Sequence, residues 1–305
     1  MVFFEKALRA KIMSTHLLIR ANVRKHTLYE AYELARAFEA RYSAYIEESY
    51  LNEINRSAGA YPVSCTSEDH ALFSRALQAC NQTQGRFDIS IGALSHATYR
   101  FGFKNQHIAD RRAVTDAKSL VDYTMITLTE ESIYLKKYGM RLDLGGIGKG
   151  YLAKEIATFL KAKGATKILV DVGGEIVTLG KRYTIAIKDP MKEGYIGYIR
   201  TDKSPSSIST SGNYERKIDH THYHILDTKS GYSPLHYSSL TLMQNGWDID
   251  LLDAYATALF TTPPSALQTF CQEHGLDMIV CADKPDNPPL HFQRFFHADR
   301  IMLEH

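Results

Sequence analysis

Apolar residues recur at three-to-four spacing over His26–Ser43, where Leu28, Ala31, Leu34, Ala35 and Phe38 would line one face of a helix. A second helix is expected over Ser67–Gln82: Thr66 with Asp69 forms a capping-box start, and Gly85 follows just past its end. Asp88–Arg100 carries apolar residues suited to a third. From Met125 to Leu144 the period changes to alternation, with turn-forming residues at Lys136–Gly139, which predicts a hairpin. Leu142-Asp-Leu-Gly-Gly-Ile-Gly-Lys-Gly-Tyr151 then reads as a strand entering a glycine-rich turn. An amphipathic helix over Tyr151–Lys163, stopped by Gly164, leads to a strand at Ile168–Ile176. Short β-type runs dominate from Ile168 to Leu242, among them Tyr183–Ile187, Tyr195–Arg200, Ser207–Thr210 and Tyr237–Leu242. Helices return over Asp250–Phe260 and Pro264–Glu273, and Cys281–Asn287 reads as loop. No repeat or composition break marks a linker. The pattern implies one large α+β domain, residues 1–302, with mixed sheets, packed helices and room for two lobes. The final Leu303-Glu304-His305 resembles a purification-tag remnant and is left outside it.

A chain of 305 residues with 44% hydrophobic and 23% charged content suits a soluble globular protein with a large core. Its formal net charge of +2 gives no electrostatic case for a nucleic-acid partner. Cys65, Cys80, Cys271 and Cys281 are scattered, with no C-x-x-C pair and no histidine at zinc spacing, so they read as isolated thiols. No apolar run is long enough to cross a membrane as a helix, and charges interrupt Met1–Arg9 too early for a signal peptide. As written the sequence points to the cytoplasm. A trimmed export leader would place it in the bacterial periplasm or on a membrane anchor instead.

Gly145, Gly146, Gly148 and Gly150 are expensive in backbone entropy and suit a loop whose backbone must approach a phosphate or a metal. A Walker A loop is excluded, because Asp143 stands where its first glycine belongs and Gly150 where Ser or Thr belongs. The dinucleotide G-x-G-x-x-G fingerprint fails as well. Ser209-Thr-Ser-Gly212 can donate to phosphate oxygens but is by default a turn. His222 and His224 would share a face of a strand, and His224 with Asp227 could be a base and its orienter, or simply a structural histidine. Asp253 and Thr257, four positions apart in an apolar helix, offer a carboxylate and a hydroxyl for Mg²⁺. The bland alternative is a helix-start aspartate and a threonine bonded back to its own helix. Asp248 and Asp250 read as capping or solvated residues.

Together and in this order, these segments resemble the ApbE-type flavin transferases, the FAD:protein FMN transferases, over about Met13–Leu259. The likeness rests on Met13-Ser-Thr15, the Ser43…Ser49…Asn55 stretch, Gly85-Arg-Phe-Asp88, Asp143–Tyr151, Asp171-Val-Gly-Gly-Glu175, Ser209–Gly212, His224-Ile-Leu-Asp227 and Asp253-Ala-Tyr-Ala-Thr257. It implies a Mg²⁺-dependent enzyme that takes FAD and transfers FMN to a Thr or Ser of an acceptor flavoprotein, releasing AMP. By motif, Met13, Tyr45, Arg86, Phe87, Asp88, Asp143 and Lys149 would line an FAD pocket, with Asn55 and Ile225 as further members. The carbonyl of Gly146 and the side chains of Asp253 and Thr257 would hold the metal, with the carbonyl of Ala256 as an additional ligand. His224 is the candidate general base. Ile54, Asn213 and Tyr255 depart from the family's usual residues. Two rival readings keep the same site: hydrolysis of FAD to FMN and AMP, and FAD binding without turnover.

Overall fold

The structure, a computed structural model, describes residues 4–214, 216–282, 291–293 and 301–303. It opens on a hairpin of β1 (Lys6–Ile12) and β2 (Thr15–Ala21), which turns on Met13 and Ser14. Two helices follow, α1 (Lys25–Tyr42) and α2 (Tyr50–Ser57), then β3 (Val63–Ser64). α3 (Ser67–Gln82) starts at the expected capping box: Thr66 and Asp69 each accept a hydrogen bond from the other's amide. After α4 (Arg111–Lys118), β4 (Ile126–Leu128) and β5 (Ser132–Leu135) pair as a hairpin. Its turn is not at Lys136–Gly139. It falls at Thr129–Glu131, where Thr129 exchanges bonds with Ser132 and closes the chain earlier.

The expected third helix over Asp88–Arg100 is only a short π-helical turn, Ala93–Thr98. Asp88 folds back onto the amide and hydroxyl of Ser90, so the chain turns where a helix would begin. The strand read into Leu142–Leu144 does not form either; Arg141 makes an isolated bridge to Ile91. Instead the glycine stretch runs straight into α5 (Gly148–Ala162).

The remaining strands are β6 (Ile168–Val172), β7 (Glu175–Leu179), β8 (Thr184–Lys188), β9 (Tyr195–Arg200), β10 (Ser206–Gly212) and β11 (Tyr237–Asn245). Then come α6 (Ile249–Phe260), α7 (Pro264–His274), β12 (Asp277–Ala282), β13 (His291–Gln293) and β14 (Ile301–Leu303). Cys281 lies in β12, and the rest of the expected Cys281–Asn287 loop falls largely outside the described residues. Leu303, set aside above with the terminal residues, pairs with Gly197.

An eight-stranded sheet in the order β1-β2-β6-β7-β10-β11-β12-β13 forms the middle layer. The α+β class holds, but the sheets are not mixed. Every pairing between named strands is antiparallel, and the Ile91–Arg141 bridge is the parallel exception among the described residues. Ile168, Val170, Val172, Leu240 and Leu242 point to the main core under α1, α5 and α6. Ile176, Ile208, Met243 and Ile279 point the other way, onto the three-stranded sheet β14-β9-β8. Covered on both faces, β11 is buried over Tyr237–Met243 instead of alternating. Ser209–Gly212 lies inside β10 and is not a turn. A small cluster around Leu94, Tyr99 and Phe101 packs a further corner.

Candidate active site

A cavity of about 310 Å³ opens where the β1–β2 tip, the end of α1, the glycine stretch, β10 and the segment after it converge. Met13, Tyr45, Arg86, Phe87, Asp88, Asp143, Gly146, Lys149, His224, Ile225, Asp253 and Thr257 all line it. Asn55 and Ala256 do not. Asn55 instead holds the approach to the glycine stretch, bonding both the amide and the carbonyl of Leu142. Ala256 is buried within α6.

The glycines set how closely α5 meets α6. A Cβ on Gly150 would stand 2.4 Å from the Ile249 carbonyl, so only glycine permits this crossing. The Gly150 amide, unpaired at the start of α5, donates to Asp253 Oδ2 at 3.0 Å. A Cβ on Gly146 would lie 2.8 Å from Thr257 Oγ1, so the same device brings the loop backbone onto α6. Thr257 Oγ1 donates back to the Asp253 carbonyl at 3.2 Å, as the bland reading expected, while its side chain still faces the cavity.

Lys149 Nζ sits 2.7 Å from Glu175 Oε1 and 3.3 Å from Asp253 Oδ1, both carboxylates being almost fully buried. Burial weakens the ammonium, but Asp253 and Glu175 outweigh it and hold the Lys149 pKa above its usual range. Burial, then the charge of Asp253, pushes Glu175 up to about 8. Glu175 Oε2 has no hydrogen-bond partner. Two buried carboxyl groups thus crowd one ammonium, an arrangement that resists the ionisation of both at once.

That crowding tests the fit of a cation, since a second positive charge would favour the ionised form of both carboxyl groups. Among the described residues no group of His, Cys, Asp or Glu side chains forms a ready metal cluster. The donors on hand are one carboxylate, one hydroxyl and backbone carbonyls: Asp253, Thr257 and the glycine stretch. An all-oxygen set of this kind suits Mg²⁺ and not a soft metal.

Asp143 accepts from Ser95 Oγ at 2.7 Å and the Gly145 amide at 2.8 Å, and bonds His96 Nε2 at 2.8 Å. Burial opposes its charge, but His96 and these donors hold its pKa well below the usual carboxylate range. Asp88 lines the cavity with both oxygens engaged, by Ser90 and by the Tyr123 amide, so it shapes the wall. Tyr45 is edge-on to His96 and takes a bond from Arg216.

His224 is half-buried, and burial, followed by the charge of Arg216, pulls its pKa down to about 4. It is not on a strand: Tyr223 makes an isolated bridge to Lys217. Nor does Asp227 orient its ring. Asp227 takes the Lys229 amide, and His224 Nδ1 has no hydrogen-bond partner. Asp250 is neither cap nor solvated; it is fully buried and paired with Arg75 and Lys154, clamping α6 to α3 and α5.

Sequence reasoning missed Glu175, His96 and Arg216. Glu175 stood in a quoted motif, where a charged residue beginning an apolar strand was a usable signal. His96 and Arg216 carry no local pattern; only the folded chain brings them to the cavity.

The sequence pattern of the ApbE family matches residues 13–280. An FAD:protein FMN transferase of Klebsiella pneumoniae (strain 342) is 29% identical over 229 residues, 73% of this chain and 72% of that protein. One from Treponema pallidum (strain Nichols) is 29% identical over 267 residues, 80% of this chain and 70% of that protein. Among solved structures, the flavin transferase ApbE from Vibrio cholerae superposes with a TM-score of 0.82 at 18% identity, covering 95% of this chain and 97% of that one. The ApbE protein from Thermotoga maritima gives 0.84 at 22% identity, with the same coverage. With the expected residues gathered around one cavity and the family pattern spanning most of its length, the chain belongs to the ApbE family.

Proposed function

We propose that this protein transfers FMN from FAD to a threonine or serine hydroxyl of an acceptor protein, releasing AMP, with Mg²⁺ as cofactor. The names of the relatives support the transfer. The observation that carries the metal requirement is the crowding of two buried carboxyl groups, Glu175 and Asp253, around the single ammonium of Lys149, which a second cation would relieve.

Asp253, Thr257 and the Gly146 carbonyl, with Ala256 as a further candidate, are the groups to hold Mg²⁺. When bound there the ion would neutralise the diphosphate and fix its geometry. Lys149 holds Asp253 in place between the first turn of α5 and the cavity. His224, neutral at pH 7, takes the proton of the acceptor hydroxyl as its oxygen attacks the phosphorus on the riboflavin side. The bond from that phosphorus to the bridging oxygen breaks, and AMP departs. An anionic diphosphate offsets the cations that depress His224, so substrate itself raises the basicity of the ring. General-base help of this kind contributes ~10²–10⁴-fold.

The test is incubation with FAD, Mg²⁺ and an acceptor domain, with products followed by mass spectrometry. The acceptor should gain the mass of FMN while AMP appears, and both should vanish in Asp253→Ala. Free FMN and AMP beside an unmodified acceptor of proven competence would replace transfer with hydrolysis. FAD that binds and never turns over would leave a binding protein.

A further inference from the structure

Arg216 lies on the segment between β10 and β11 and reaches across the cavity mouth. Its Nη2 donates to the Met13 carbonyl at 3.3 Å and its Nη1 to the Tyr45 hydroxyl at 3.0 Å. The guanidinium also stacks over the Tyr45 ring, 5.3 Å from its centroid. Its own carbonyl accepts the His224 amide at 3.0 Å. One residue thus joins the hairpin tip, the loop after α1 and the candidate base.

All of these partners are uncharged. A half-buried guanidinium is usually matched by a carboxylate; among the described residues Arg216 has no ion pair, whereas the neighbouring Lys149 has two. Of its five N–H donors, two are accounted for by Tyr45 and Met13. The tip it grips is the two-residue loop of the β1–β2 hairpin. Met13 (φ 50°) and Ser14 (φ 62°) are both left-handed without being glycine, at a cost of roughly 1–3 kcal/mol each. The Met13 amide is tied to Glu39, which also lines the cavity, at 2.7 Å. A half-buried cation at a cavity mouth, lacking a counter-ion among the described residues, marks a place where the ligand supplies the anion.

We propose that Arg216 reads the diphosphate of the flavin nucleotide, so that it selects phosphorylated over unphosphorylated ligands while holding Met13 and Tyr45 against the rest of the molecule. The assignment rests on FAD being the substrate and adds the residue that recognises its charge. No covalent step is involved.

The test compares binding of FAD and ADP with that of riboflavin and adenosine, by calorimetry and flavin fluorescence, in the wild type, Arg216→Gln and Arg216→Lys. Loss of charge-assisted hydrogen bonds predicts roughly 10- to 100-fold weaker FAD and ADP binding in Arg216→Gln. Riboflavin and adenosine, which lose only the clasp on Met13 and Tyr45, should weaken far less. Should the glutamine variant not fold, Arg216→Lys decides, since it keeps the charge and loses the fork: FAD and ADP should weaken several-fold and the unphosphorylated pair by clearly less. Equal losses for all four ligands, in either variant, would make Arg216 a clasp only and overturn the proposal. So would unchanged FAD binding. A wild type that binds neither FAD nor ADP would overturn the flavin-nucleotide reading itself, a different failure from one confined to the variants.

Discussion

Replacing Lys149 by Met keeps the aliphatic stem and removes the ammonium that lies 2.7 Å from Glu175 and 3.3 Å from Asp253. At an effective dielectric of ~20, unit charges at those separations attract by about 6 and about 5 kcal/mol. Most of that gain is spent on taking the charges out of water: the side chains of Lys149, Glu175 and Asp253 are 25%, 1% and 2% exposed. The stability change is therefore set by what remains. With Glu175 protonated at pH 7, Asp253 is the charge left buried without its cation, a situation that costs about 3–5 kcal/mol. Set against a total of about 5–15 kcal/mol for a typical domain, the variant should fold but denature at a clearly lower urea concentration. Fluorescence of Trp247, the single tryptophan, can follow the transition, since its indole donates to Thr178 of β7 beside this site. Adding Asp253→Asn removes the stranded charge and should restore part of the loss, a coupling of about 1–3 kcal/mol. A Lys149→Met protein within about 0.5 kcal/mol of wild type, or a double variant no better than the single, would refute the shared-ammonium account.

Asp253→Asn should abolish Mg²⁺-dependent turnover and also remove any rise in melting temperature that Mg²⁺ produces in the wild type, read by thermal shift with and without EDTA. His224→Gln should cut turnover by ~10²–10⁴-fold with FAD affinity retained, measured under single-turnover conditions. The same variant should flatten the acid limb of the stability curve. Folded His224 stays neutral down to about pH 4 while the unfolded chain takes up a proton near 6.5. The unfolded state thus binds more protons in that window, and wild-type stability falls as pH drops through it. Gly150→Ala places a methyl 2.4 Å from the Ile249 carbonyl, a backbone atom that cannot step aside. It should cost at least about 1–3 kcal/mol in urea denaturation and separate Asp253 from the Gly150 amide.

Local physics made much of this protein legible before folding. The capping box at Thr66 and Asp69 and the apolar stripe of α1 act over a few residues, and both helices formed within a residue of where they were expected. The glycine stretch announced a close backbone approach, which Gly146 and Gly150 carry out against α6. Met13, Tyr45, Asp143, Lys149, His224, Asp253 and Thr257 were named from ordered motifs, and one cavity brings them together.

What stayed hidden depends on partners far away in the chain. Asp250 and Asp253 look alike on one helix, yet Asp250 is taken by Arg75 and Lys154 while Asp253 faces Lys149 and the cavity. Asn55 is a support and not a wall because Leu142 happens to pass it. The hairpin turn and the aborted helix after Asp88 were decided by side-chain bonds to nearby backbone that compete with regular structure. A sequence determines which segments can be helix or strand and which residues can do chemistry, because propensity, capping and periodicity are short-range. Which charges are neutralised and which are left for a ligand is decided only when tertiary packing removes water and chooses the neighbours. Here that choice gives Lys149 two carboxylates and Arg216 none among the described residues.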